Sequence, residues 1–217
     1  MTSDDIIRLA KAHTIFEWNA QRAFEPIPVS RAKGVHFWTP DGKRYIDFNS
    51  QLMCVNIGHG DERVTAAMKR QLDELPYANP FLATEPRARL GAKLAELAPG
   101  DIDVFFFTNG GAEANENAMK VARWYTGRQK ILAFYRSYHG GTAGAISATG
   151  DPRRWHEPMM PGIIHVLNPY HGLARGWDTA DEALAYLEEV IELEGAETIA
   201  GFLLEPVVGT NGILIPP

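Results

Sequence analysis

The sequence has almost no cysteine: Cys54 stands alone among 217 residues, so an intrachain disulfide is excluded. That scarcity suits a reducing compartment. A basic surplus is missing as well. Against 27 Asp and Glu there are 21 Lys and Arg, a formal net charge of −6, and nothing here would neutralise the phosphates of a nucleic acid. No run nears the roughly 20 apolar residues that span a bilayer. The opening Met1–His13 carries acidic residues instead of the apolar stretch of a signal peptide. The expectation is a cytoplasmic protein that partners neither nucleic acid nor membrane.

Several catalytic signatures are absent too. There is no GxGxxG dinucleotide fingerprint, since Gly58-His-Gly-Asp-Glu-Arg63 lacks the third glycine, and no GxxxxGK[ST] phosphate loop. No GxSxG elbow marks a serine hydrolase. The seven histidines form no HxxxH or Cys/His cluster of the kind that holds a metal.

What is present is a change of pattern near Asp61. Before it, Asp4 to about Ala23 predicts a helix, and Val35–Trp38 and Arg44–Phe48 flank an Asp-Gly turn, the signature of a β-hairpin. After it, helices predicted over 63–75, 87–98, 112–125 and 179–194 alternate with strands over 103–108, 130–134, 162–166 and 198–204. Asp103–Thr108 is an unbroken apolar run, as a strand covered on both faces requires. Strands alternating with helices imply βα units and a largely parallel α/β sheet. Residues 1–60 thus read as a small α+β arm and 61–217 as the start of a larger α/β domain.

The most informative segment is Phe107–Arg123. A buried strand is expected to end, Gly110-Gly111 to turn the chain, and a helix to start at once, with Ala114, Ala118, Val121, Ala122 and Tyr125 as its apolar stripe and Glu116 paired to Lys120. The first amides of such a helix lack internal partners, and two residues without Cβ let an anion approach them. A tight turn with glycines for geometry alone explains the residues equally well. Tyr138 and His139 follow the next strand, placed to stack on a flat ring and to bond its edge, or else to serve as a core tyrosine and a helix-capping histidine. Glu205 ends the last apolar strand, where ligands gather in open α/β sheets, or it caps amides of the Pro206–Gly212 loop. The Asp151-Pro-Arg-Arg-Trp155 run could present cations but reads better as a solvated turn, His165 as a strand residue and His171 as a loop residue.

Taken together, Asn109-Gly-Gly-Ala-Glu-Ala-Asn-Glu-Asn-Ala-Met-Lys120, Ser137-Tyr-His-Gly-Gly-Thr142 and Glu205-Pro-Val-Val-Gly-Thr-Asn-Gly-Ile-Leu-Ile-Pro-Pro217 resemble the class III aminotransferases. Asp41-Gly-Lys-Arg-Tyr-Ile-Asp47 and Asn56-Ile-Gly-His-Gly60 add to the resemblance, which covers nearly the whole chain in family order.

The resemblance implies a fold-type-I large domain with the N-terminal part of a small domain, pyridoxal 5'-phosphate as cofactor, and a homodimer with its active site at the subunit interface. By the same resemblance the Gly111 and Ala112 amides bind the phosphate, with Gly110 shaping the turn. Tyr138 stacks on the pyridine ring, His139 supports it, Glu205 lies near its phenolic edge, and Leu52 and Met53 line the substrate pocket. The implied reaction moves an amino group from an amine or ω-amino acid to a keto acid such as pyruvate. Many amine–pyruvate members carry Trp where Met53 stands, and glutamate-handling members often carry Glu where Thr210 stands. Other activities of the same fold share these motifs: aminomutase, racemase, decarboxylase, or a non-catalytic cofactor-binding homologue.

Transamination also needs a lysine that holds the cofactor and shuttles a proton. In the family it follows the Glu-Pro segment by more than one βα unit, so it is expected beyond Pro217 and no catalytic residue is assigned within the chain. The expectation is that the 217 residues are part of a longer protein and are inactive alone.

Overall fold

Thr2 starts the first helix, α1 (Ser3–His13), through a reciprocal capping box with Asp5. The helix ends ten residues before the expected Ala23. Thr14 turns extended and its hydroxyl bonds back to the Ala10 carbonyl at 2.7 Å, and Gln21 then folds the chain onto Phe16. The protein is seen here as a computed structural model that describes residues 1–170, 177 and 179–216; His171 and Pro217 lie outside the described residues. Its chain forms two compact units, Met1–Arg89 and Leu90–Pro217.

In the first unit the expected hairpin is present, as β2 (His36–Trp38) and β3 (Arg44–Ile46). Phe37 and Tyr45, direct cross-strand partners, stack at 5.1 Å. A third strand, β1 (Arg31–Lys33), pairs antiparallel with β2. Its polar Arg-Ala-Lys sequence offers no apolar alternation to read. Two helices follow. In α2 (Glu62–Glu74) the Asp61 carboxylate caps the amides of Arg63 and Val64, and α3 (Glu85–Leu97) begins in this unit and ends in the second.

The second unit is a βα layer. Helix α4 (Gly111–Thr126) closes on Gly127 in the left-handed conformation, φ 69°, where a residue without Cβ is favoured. Strands β4 (Lys130–Phe134), β5 (Ile163–Val166) and β6 (Ile199–Leu203) form a parallel sheet in the order β5-β4-β6. Between β4 and β5 lies a short buried helix, α5 (Ala143–Ala148), and before β6 lies α6 (Ala180–Glu194) with its own capping box at Thr179. The core joins Met119, Ile131, Ala133 and Ala148, with Ala122, Ile163, Ala200 and Leu203 against it.

Two expectations fail here. Asp103–Thr108 is not a strand: it is irregular, with Val104 85% and Phe106 72% exposed. A strand exists through its neighbour's hydrogen bonds, and no described strand lies beside this run to supply them. The apolar stripe of α4 is also rotated from its expected face. Met119 and Ala122 point into the core, whereas Ala114, Ala118, Val121 and Tyr125 are exposed. The cause is polar: Asn115 and Glu116 bond the 139–145 segment and turn their side of the helix inward. Among the described residues no helix is long and apolar enough to cross a membrane.

Candidate functional site

The three parallel strands all run toward the same edge of the sheet, the edge where ligands of open α/β folds bind. Residues 135–140 leave β4 there, and Glu205 leaves β6 there. The start of α4 is tied to this edge by two contacts. Asn115 donates to the His139 carbonyl at 2.7 Å. Gly140, at φ 136°, lies so close to Ala112 that a Cβ would come within 2.5 Å of the alanine methyl. The glycine turn and the Tyr138-His139 pair therefore form one surface.

The glycines at that turn are not demanded by the fold. Gly110 is extended (φ −169°, ψ 168°), a conformation open to any residue, and a Cβ on Gly110 or Gly111 would meet nothing within 4 Å. Gly110 also provides no side-chain cap to the leading amides of a 16-residue helix, which have its macrodipole behind them, and the space over both glycines is open. This weighs against a purely conformational reason for the pair and favours approach by an anion.

His139 is 6% exposed, and its Nε2 is buried with no hydrogen-bond partner among the described residues. Leaving such a group unsatisfied costs about 1–3 kcal/mol, so the site has an open demand for a polar partner. Burial pushes the imidazole pKa down, the nearby His165 adds to this, and the Glu205 charge only partly opposes it. The ring is therefore neutral near pH 7.

Glu205 combines both roles foreseen for it. One carboxylate oxygen accepts from the Tyr138 amide at 2.9 Å and the other from the Gly209 amide at 2.9 Å. It caps its own loop and at the same time fixes the backbone of the Tyr138-His139 segment. Arg136, at φ 57°, reaches the same loop through the Asn211 carbonyl at 2.7 Å.

Glu116 does not pair with Lys120. Its carboxylate takes the Thr142 hydroxyl at 2.6 Å and the Gly144 and Ala145 amides at 2.7 and 3.1 Å, capping α5 from a different helix. Burial raises its pKa, but these hydrogen bonds and the Arg123 charge outweigh it and hold the group below its ordinary value. Lys120 instead lies over the Trp124 ring.

The 151–155 run is solvated only in part: Pro152 and Trp155 are exposed, but its first residue and its cations turn inward. Asp151 is 4% exposed and binds Arg153, whose guanidinium lies 3.8 Å from the Tyr138 ring centroid and donates to Thr210 at 3.0 Å. These residues were missed because nothing in Asp-Pro-Arg-Arg indicates where its cations point. The readable signal was Asp151-Pro152, an N-cap followed by Pro at the first helical position, directly after a strand–helix unit.

Leu52 and Met53 belong to the first unit. They lie in a left-handed turn in which Ser50, Gln51, Leu52 and Met53 all have φ between 50° and 65°. No glycine relieves this turn, and strain of that kind collects at functional sites. The Asp47 carboxylate braces it by accepting the Gln51 amide at 3.2 Å and bonding His59 at 2.6 Å, which joins the two motifs of this unit. Leu52 lines an apolar hollow of about 690 Å³ with Phe24, Phe37 and Ile46.

An α/β layer with an uncapped glycine-led helix and a buried, unpartnered imidazole nitrogen at one sheet edge is the candidate site of this chain. Comparison with known proteins identifies the family. The family profile for aminotransferase class-III matches residues 18–217. The chain is 39% identical over 93% of its length to the aminotransferase YhxA of Bacillus subtilis, and 33% identical over 87% to the putrescine–pyruvate aminotransferase of Pseudomonas aeruginosa. It covers 47% and 44% of those proteins, so it spans about half the length of the curated relatives it matches. Among solved structures it resembles the taurine:2-oxoglutarate aminotransferase of Bifidobacterium kashiwanohense, in complex with pyridoxal phosphate and glutamate. That match has a TM-score of 0.89 and 38% identity, over 100% of this chain and 51% of that one. The chain belongs to the class III aminotransferase family.

Proposed function

We propose that the whole protein is a pyridoxal-phosphate-dependent transaminase, and that residues 110–112, 138–139 and 205 hold the cofactor. The observation that carries this is the uncapped start of α4 beside the unpartnered His139 Nε2. The first leaves backbone donors open to an anion, and the second is a polar atom without a partner on the neighbouring segment of the same sheet edge. Pyridoxal phosphate, when bound, supplies the electron sink that lets an amino group be exchanged for a keto oxygen.

The chain's own residues hold and orient the group. The Gly111 and Ala112 amides take the phosphate without a counter-charge, aided by the helix dipole. Tyr138 presents its ring to the flat face, its backbone fixed by Glu205. His139 stays neutral, so it supports the ring segment without bringing a positive charge to the site. The second unit's lysines are engaged elsewhere. Lys93 pairs with Glu96, Lys120 lies over Trp124, and Lys130 binds Glu194 at the far end of β4. On this reading the catalytic lysine comes from outside the 217 residues, and residues 1–60 and 61–217 are parts of the small and large domains.

The donor is an amine or ω-amino acid and the acceptor a keto acid of the pyruvate type. Support comes from the putrescine–pyruvate relative and from Thr210, which brings no carboxylate to the loop beside the site. Leu52 and Met53 line the donor pocket. The protein acts as a cytoplasmic homodimer with its active sites at the interface. The test is amine-dependent conversion of pyruvate to alanine by the whole protein, with sedimentation for its assembly. Racemisation without an acceptor, or activity with 2-oxoglutarate alone, contradicts the reading.

A further inference from the structure

Resting on the cofactor reading above, we infer that Arg153 is a positioning residue for the Tyr138 ring, and thereby for the face of the cofactor that the ring carries. Its guanidinium lies 3.8 Å from the ring centroid, close enough for a strong cation–π contact. The fork is held in that place by two anchors. Asp151, almost wholly buried, accepts from Nε at 2.8 Å and also from Nη2, and Nη2 donates onward to Thr210 at 3.0 Å. Asp151 is itself fixed by Asn211 at 3.2 Å and is brought against the end of β4 by Gly150, where a Cβ would come within 2.1 Å of the Phe134 carbonyl.

The contacts close a circuit. The Tyr138 amide binds Glu205, Glu205 binds Gly209, Thr210 receives Arg153, and Arg153 covers the Tyr138 ring. Both the backbone and the ring of Tyr138 are thus set by the 205–211 loop, and the ring has a fixed plane before any ligand arrives. Such preorganisation raises affinity by removing the cost of ordering the group on binding. Lysine cannot replace this arrangement, because an ammonium lacks the planar fork that bonds Asp151 and Thr210 while lying flat on a ring.

The test is a double-mutant cycle in the whole protein, measuring pyridoxal phosphate binding by equilibrium dialysis and the visible circular dichroism of the bound cofactor. Arg153→Met is expected to weaken binding about two- to tenfold, the cost of ordering one side chain on binding, and to reduce the dichroism per bound cofactor. In a Tyr138→Leu background the same substitution should change affinity less than twofold, because Arg153 then has no ring to hold. Arg153→Lys should behave like Arg153→Met. Thr210→Val, which removes a single bond and leaves Asp151 paired, should give a smaller loss with an unchanged melting temperature. Equal losses in both Tyr138 backgrounds, or affinity and dichroism unmoved by Arg153→Met, overturn the role of Arg153 while leaving the cofactor reading intact. Failure of the wild-type protein to bind pyridoxal phosphate overturns both.

Discussion

His139 and Gly140 illustrate how much of this site depends on single atoms. The histidine is held neutral by burial, and His165 on β5 is shifted down in the same way, with burial again the first cause. Each group binds a proton more readily in the unfolded chain than in the folded one, so stability is complete above the ordinary histidine value of about 6.5 and falls as pH drops through it. Urea melts between pH 7.5 and 5.5 should therefore show stability decreasing toward acid. A His139→Gln, His165→Gln double variant should flatten that slope, and an unchanged slope would remove these two residues from the account. Gly140 is the steric counterpart. At φ 136°, with Ala112 and Ala145 against it, Gly140→Ala combines backbone strain with overpacking and should cost about 2–4 kcal/mol of stability. A melting temperature equal to that of wild type would mean that the α4–loop contact is looser than described.

At the scale of elements, the βα unit was readable wherever local chemistry decides structure. The strand at 130–134 and the helix after Gly110 follow from an apolar stretch and a glycine turn, and the helix expected over 179–194 is present as α6. The sequence failed where a partner decides. Asp103–Thr108 has the composition of a buried strand, but composition cannot create the neighbouring ladder, so the run is irregular and exposed. The stripe on α4 was misplaced because periodicity weighs apolar residues, whereas Asn115 and Glu116 set the rotation. Glu116 links two elements: its carboxylate caps α5, whose own N-cap residue, Thr142, provides no side-chain cap. Glu116→Ala should destabilise the protein by roughly 1–2 kcal/mol, as loss of a helix cap does, with Glu116→Gln intermediate. Because the depressed carboxyl contributes only while ionised, that difference should shrink as pH falls below its ordinary value of 4.5. Chemical denaturation at two pH values decides the point, and a difference that persists in acid would contradict the cap.

For the molecule as a whole, sequence and structure meet at one edge of a parallel sheet. The motifs around Gly110, Tyr138 and Glu205 are separated by up to 95 positions in the chain, yet the sheet brings Tyr138 and Glu205 to adjacent ends of β4 and β6, and Asn115 ties the helix behind Gly110 to the same edge. The two-unit division assigns Leu52 and Met53 to the other body, in a strained turn whose backbone no pattern in Ser-Gln-Leu-Met announces. The account rests on the claim that Gly110-Gly111 is kept open for an anion and not for the chain itself. Binding of pyridoxal phosphate by the whole protein, compared between wild type and Gly111→Val, tests this most directly. A Cβ at 111 meets nothing within 4 Å beyond its neighbours in its own helix, so the variant should fold and melt like wild type. Wild type is expected to bind saturably and the variant at least about tenfold more weakly, since side-chain bulk at the helix start keeps the phosphate from the amides. Equal affinity in the two proteins would contradict the account.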